Sequence, residues 1–386
     1  MTDSSTVPTS GRLLSLDVFR GATIAGMMLV NNPGDWGKIY APWGHAAWNG
    51  WTFTDTIFPF FLWIVGVAMT FSFAKRMERG DDKSKLALHV VQRFAIIFGL
   101  GIFLAGFPFG LAFGHHFSLS TIRIPGVLQR IAVCYLVSSM VVLTTGIRTQ
   151  VAIVWSLLAF YWLMMTLIPV PGYGPGVLTP TGNLCWYLDS TLLAGHTWSG
   201  APVPGFDPEG IFSTIPAIAT TLFGVLTGHF LRTDRTREEK TAWMFVAGSL
   251  LLLLGLIMDN WLPINKNLWT SSYSVFMAGL ALTVLASCYW MIDVKGYRKW
   301  AKPFEIYGLN AITMFFLAGI IGRLTGIIRW MGPEDKVISL KTWYYHTFFV
   351  PLGDPMVVSF LHSIAFMLGL YVIAWFMYRM KWVIKA

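Results

Sequence analysis

Residues 57–74 read IFPFFLWIVGVAMTFSFA, eighteen positions without a charge. Their apolar character is continuous rather than alternating, so the segment reads as a helix that buries every face. At a rise of about 1.5 Å per residue it nearly crosses a hydrocarbon core of about 30 Å. A barrel strand would alternate and need only about ten residues. Similar clean runs occupy 94–114, 151–171, 273–292 and 357–378, and weaker ones 18–30, 131–147, 211–228, 242–258 and 306–322. With 55% hydrophobic and 12% charged residues in 386, and a mean hydropathy of +0.59, no soluble class fits. The expected fold is all-α, a polytopic membrane protein of about ten transmembrane helices.

Charge sets the expected orientation. With both termini cytoplasmic, twenty of the 28 Lys and Arg residues fall on the inner face, and the long outer loop 170–210 holds none. That is the positive-inside pattern, so the net charge of +9 reads as topology and no nucleic-acid partner is expected. Residues 1–11 are polar and rich in Ser and Thr, with no basic n-region or cleavage site, so a disordered tail and no signal peptide are expected. One transmembrane domain, 12–386, follows. Its outer loops are 170–210 and 323–355, the second with a short interfacial helix around 341–350. Tyr173, Trp186, Tyr187 and Trp198 in the first loop suit sugar rings, and equally suit interfacial anchoring. The inner loops 75–93 and 232–240 read as solvated basic caps that could also hold the phosphates of an anionic cofactor.

Cys134, Cys185 and Cys288 give no disulfide pair and no metal spacing. His115-His116 is the one conceivable metal ligand pair, yet adjacent loop histidines more often face water; no metal is expected.

Polar groups at the outer ends of the spans carry the candidate chemistry, because they are expensive there. His45 lies in Gly44-His45-Ala46-Ala47-Trp48-Asn49-Gly50, between the first two spans. It can take a proton from an amine or alcohol, carry an acyl group itself, or simply meet headgroups. Asn31 ends the first span with an amide. Asp55 opens the second, where it can orient the imidazole or act as a helix N-cap. Arg123 and Arg130 flank a Pro-Gly turn and suit carboxylate or phosphate recognition, or internal pairing with Asp207 and Glu209. Asp207-Pro208-Glu209-Gly210 is expected to place acids at the start of the sixth span, where the helix dipole favours them. Residues 263–273, PINKNLWTSSY, read as a buried hydrogen-bonded turn. Asp17 and Arg20, at i and i+3, should pair. The candidate substrate contacts are Trp48, Asn49, Arg123, Arg130, Asp207, Glu209, Asn265 and Lys266.

Taken in order, these segments have a counterpart. Leu16-Asp17-Val18-Phe19-Arg20-Gly21 is similar to the opening of a broad group of membrane acyltransferases. The segment from His45 to Asp55 and Phe58-Pro59, RIPGVLQR at 123–130, DPEG at 207–210, PINKNLWTSSY at 263–273 and Gly308-Leu309-Asn310-Ala311 are more specific. Together they resemble the membrane core of the heparan-α-glucosaminide N-acetyltransferase family, from Arg12 to the C-terminus. The resemblance implies an enzyme moving acetyl from cytosolic acetyl-CoA across the bilayer to the amine of a terminal glucosamine. It matches the family's active-site histidine to His45 and its nearby asparagine to Asn31. The lysosomal member has an extra luminal domain and helix before this core. The chain begins at the first core helix, which shifts the expectation toward a bacterial inner membrane with the active site on the periplasmic side and leaves the acceptor sugar open. Some bacterial relatives are regarded as N-acetylglucosamine uptake proteins, so a sugar transporter is the alternative. Expected partners are the lipid bilayer, acetyl-CoA and the saccharide, with a homodimer left open.

Overall fold

A computed structural model describes residues 13–110, 117–332 and 336–384. The tail 1–11, Arg12, Lys385 and the His115-His116 pair lie outside them. Ten helical segments correspond to the ten apolar runs. They are α1 (Leu14–Asn31), α2 (Phe53–Glu78), α3 (Lys83–Gly106), α4 (Val127–Thr144), α5 (Ile147–Leu167), α7 (Thr214–Leu231), α8 (Arg237–Met258), α9 (Ser271–Tyr289), the pair α10 (Lys302–Leu309) and α11 (Ala311–Ile327), and α13 (Pro355–Arg379). The chain is thus an all-α polytopic membrane protein. Eight of these helices are long and apolar enough to span a membrane, or nine if the bent pair is one span. α1 also runs 18 residues, but Asp17 and Arg20 interrupt its apolar run.

The run 306–322 is not one straight helix. It breaks at Asn310, with a bend of 72° between α10 and α11. The amide of Asn310 donates to the Trp382 carbonyl (2.9 Å), and its oxygen accepts from the Ile384 amide (2.9 Å). A side chain fully engaged with a distant backbone stabilises the corner that the local apolar pattern hides.

Small residues let the helices touch. A Cβ on Gly224 would lie 1.9 Å from the Trp63 carbonyl oxygen, and one on Gly66 would lie 2.0 Å from that of Thr221, so α2 and α7 cross backbone to backbone. Gly21 and Gly308 do the same where α1 meets α10. Close approach of this kind supplies the dispersion that holds helices together in lipid, where no hydrophobic drive acts. Asp17 and Arg20 pair at 3.3 Å beside this crossing.

Two irregular segments cover the end of the bundle where α1 finishes and α2 begins, hereafter the His45 end. Residues 170–210 contain the short helix α6 (Leu184–Leu192) and a small core of their own, with Val170, Cys185 and Phe206 packed on Tyr161 of α5. The second segment starts later than 323, because α11 continues to Ile327. A two-stranded hairpin follows, β1 (Arg329–Met331) and β2 (Val337–Ser339), and then α12 (Leu340–Tyr344) with further turns to Leu352.

Candidate active site

The link between α1 and α2 ends in a capping box formed by Thr52 and Asp55. Thr52 is therefore the N-cap, and Asp55 sits three residues into the helix rather than at the cap itself. One oxygen of the Asp55 carboxylate accepts from the Thr52 and Ala46 amides, each at 3.0 Å. The other meets His45 Nδ1 at 2.6 Å. An ionised carboxylate only accepts, so Nδ1 carries a proton and Nε2 is the nitrogen left free of this contact. Asp55 is buried, whereas the His45 side chain is half exposed (49%), so the imidazole is anchored at one nitrogen and accessible at the other.

Pro59 completes this arrangement. It lies inside α2 and has no N–H, so the Asp55 carbonyl four residues earlier loses its helical partner. The Tyr273 hydroxyl donates to that carbonyl at 2.6 Å. α9 thereby fixes the backbone of the residue that fixes His45. Residues 263–270 brace the loop as well: the Gly50 amide donates to the Ile264 carbonyl (2.7 Å), and Asn265 donates to the side-chain oxygen of Asn49 (3.1 Å).

Arg123 forms a two-pronged pair with Asp207 (2.8 and 2.6 Å) and reaches Glu209 at 2.5 Å. Of the two options open in the sequence, internal pairing is the one found. Asp207 and Glu209 belong to a turn ahead of α7, which starts only at Thr214, so Arg123 rather than the helix dipole balances them. Burial raises the Glu209 carboxyl, but Arg123, Lys266 and Arg130 outweigh it and hold the group below its ordinary value. Arg130 is buried in α4, donates to the Gly210 carbonyl (3.1 Å) and Ser213 hydroxyl (2.5 Å), and lies over the Trp269 ring at 5.1 Å.

Two cavities meet at Asn31. The inner one, about 110 Å³, is lined by His45, Asn31, Glu209 and Lys266 above apolar residues such as Ile24, Phe61 and Ile312. The outer one, about 420 Å³, is lined by Asn31, Asn32, Arg123 and Gln129, with Arg323 and Lys341 across from them. The structure thus brings together His45, Asn31, Asp55, Glu209 and Lys266, with Arg123 in the adjoining space. It does not bring Trp48, Asn49, Arg130, Asp207 or Asn265 to the cavity walls. The Trp48 indole donates to the Leu178 carbonyl (2.8 Å) and packs on Phe206, and the other four are engaged in the frame described above. Tyr273 and Thr52 were not among the candidates. The Thr-x-x-Asp spacing of 52–55 and the proline at 59 were the signals for both.

Residues 12–258 match the family model for heparan-alpha-glucosaminide N-acetyltransferase, catalytic. The chain belongs to this family. It is 31% identical to the heparan-alpha-glucosaminide N-acetyltransferase of Homo sapiens, over 79% of this chain and 52% of that protein. The Mus musculus protein of the same name is 30% identical over 79% and 53%. The chain spans about half the length of these relatives. The matched region contains His45, Asn31, Asp55, Arg123 and Glu209, while Lys266, Tyr273, Arg323 and Lys341 lie beyond it.

Two consequences are measurable. Tyr273→Phe leaves the buried Asp55 carbonyl without a partner and should lower stability by about 1–3 kcal/mol, read as an earlier thermal transition in detergent; an unchanged transition would remove this brace from the account. The second concerns Asp189 in α6, which accepts from the Asp207 (3.3 Å) and Ile211 (3.1 Å) amides. Burial pushes its carboxyl up to about 7, against the pull of those two amides. An acid raised in the folded state binds its proton more tightly there than in the unfolded chain. Its contribution is therefore most favourable below the ordinary aspartate range and is lost as pH rises through about 7. The thermal midpoint of the wild type should fall between pH 5 and 8 more steeply than that of Asp189→Asn, whatever the offset between the two proteins.

Proposed function

We propose that this chain is a transmembrane acetyltransferase that moves acetyl from cytosolic acetyl-CoA to the amine of a glucosamine-type sugar on the far side of the membrane. The observation that carries this reading is the 2.6 Å contact between His45 Nδ1 and Asp55, which leaves Nε2 available at a cavity bordered by Asn31. The names of the relatives support the acetyl group and the amino sugar.

In this reading the uncharged amine attacks the thioester carbonyl carbon, and His45 Nε2 takes the amine's proton as the C–N bond forms. The Asn31 amide, which has no side-chain partner among the described residues, donates to the developing oxyanion. Collapse of the tetrahedral centre breaks the C–S bond, and the leaving thiolate takes the proton back from the imidazolium. Asp55 stabilises that imidazolium in between and keeps the ring in the productive tautomer. The narrow, largely apolar inner cavity suits a two-carbon acyl group on a thioester arm, and the larger cavity beyond Asn31 has room for a saccharide. Both termini lie in the cytoplasm, the basic loops at that end receive the CoA phosphates, and the His45 end faces the periplasm of a bacterial inner membrane.

Purified protein given labelled acetyl-CoA and glucosamine should form N-acetylglucosamine. His45→Ala should lower turnover at least about 10²-fold, the usual contribution of a general base, while the thermal transition stays near that of the wild type. Turnover close to wild type in that variant would refute the proposed chemistry. Sidedness is tested separately: a cysteine placed at Ser199 should react with an impermeant maleimide in intact cells, and one at Ser84 should not. The opposite labelling pattern would invert the orientation.

A further inference from the structure

The outer cavity has a feature that neither the frame nor the transfer step uses. Arg323, on the last turns of α11, and Lys341, in α12, line it together. The charge of Arg123, the third cation there, is balanced by Asp207 and Glu209. Arg323 and Lys341 have no carboxylate within ion-pair distance among the described residues. Arg323 donates to the Gly319 carbonyl of its own helix (3.1 Å), and Lys341 to the Pro33 carbonyl (2.8 Å). Burial holds Lys341 below the ordinary lysine value, with Asp35 nearby acting against it. Two cations with spare donors therefore face one open space and leave room for an anion.

Beside the amides of Asn31, Asn32 and Gln129, the wall has an apolar stretch. Met27, Leu104, Ala105, Phe315 and Ala318 lie along α1, α3 and α11. α3 is also a membrane-span candidate, and Leu88, Val91 and Ile96 along it are exposed apolar side chains. The cavity sits where α1, α3 and α11 end and α4 begins, and the ends of membrane-crossing helices are where lipid chains give way to headgroups. A small polar anion would match the cations and waste the apolar wall. A neutral lipid would do the reverse.

We propose that this cavity binds a phosphate-bearing lipid from the leaflet at the His45 end, its headgroup on Arg323 and Lys341 and its chain along α3 and α11. Two sources share that chemistry: a bulk anionic phospholipid, or a lipid-linked amino sugar that presents its amine past Asn31 to His45. The site does not depend on the acetyltransferase reading; only identifying the lipid with the acceptor rests on it.

The test uses purified protein in nanodiscs of phosphatidylcholine with and without phosphatidylglycerol, and reads lipid retained after delipidation by native mass spectrometry. The wild type should retain phosphatidylglycerol over phosphatidylcholine by at least about fivefold, the usual effect of one cation at a headgroup. Arg323→Gln with Lys341→Gln should abolish the preference, and His45→Ala should keep it. Equal retention of the two lipids by the wild type would overturn the site, and that comparison needs no variant to fold. A preference unchanged in the double variant would overturn the assignment to these residues. To separate the sources, a glucosaminyl lipid phosphate and water-soluble glucosamine 1-phosphate are compared as competitors. Displacement by the lipid form alone supports an acceptor presented from the bilayer. Displacement by neither supports a resident phospholipid. Equal displacement by both removes the role of the apolar wall and overturns the lipid proposal. Failure of acetyl transfer with every acceptor would count against the proposed function while leaving these binding results standing.

Discussion

The carboxylate of Asp55 is shared among demands that would otherwise fall on separate groups. One oxygen closes the first turn of α2 by accepting the Thr52 and Ala46 amides, and the other holds the imidazole of His45. Negative charge at a helix N-terminus is favoured on its own account, so the residue is stabilised before it touches the histidine. A loop leading out of a membrane span would ordinarily sample many conformations. Here the His45 side chain is tied to the same carboxylate that caps a 26-residue helix. Positioning is a by-product of the fold.

That economy extends inward through Pro59. A proline in a spanning helix frees a carbonyl, and in hydrocarbon a free carbonyl is costly. The freed group belongs to Asp55, and Tyr273 of α9 answers it. α9 reaches the same region through the turn before it, where Trp269 adopts a left-handed backbone (φ 51°) and lies against Arg130. Arg130 in turn holds the Gly210 carbonyl of the turn that carries Glu209 to the inner cavity. The cavity is shaped by backbone groups whose normal partners are missing and by side chains that replace them.

This explains which parts were legible in the sequence. Apolar runs specify spans because the bilayer demands length and continuity, and each of the ten runs overlaps a helix or, at 306–322, a broken pair, although α3 ends at Gly106, inside the run 94–114. The break is not legible locally, because Asn310 is held by Trp382 and Ile384, more than seventy positions away, with no proline or glycine pair to mark it. His45, Asn31 and Asp55 were legible as polar groups at span ends, separated by one short loop. The pairing of Arg123 stays open in the sequence because its acids lie 84 and 86 positions on, across α4, α5 and α6. Trp48 and Asn265 suit a sugar by residue type and by their place near the site. Their donors are spent on the backbone and on Asn49, which spacing could not show.

The division at Asn31 bears on whether such a bundle transfers a group or moves a whole solute. A transporter opens its site to each side in turn, which asks the helices around it to part at both ends. At the end away from His45, α1 and α10 meet backbone to backbone through Gly21 and Gly308, where even a methyl group would not fit. At the His45 end the loop is locked to α2 by Asp55 and to the turn before α9 by Gly50 and Asn265. A frame braced at both ends is poorly suited to rocking. In the proposed reading it holds two reactants at a fixed distance, a small acyl group in the narrow cavity and a larger acceptor in the wide one, with Asn31 at the border and His45 as the proton acceptor. Group transfer asks for that rigidity, and solute passage would have to break it.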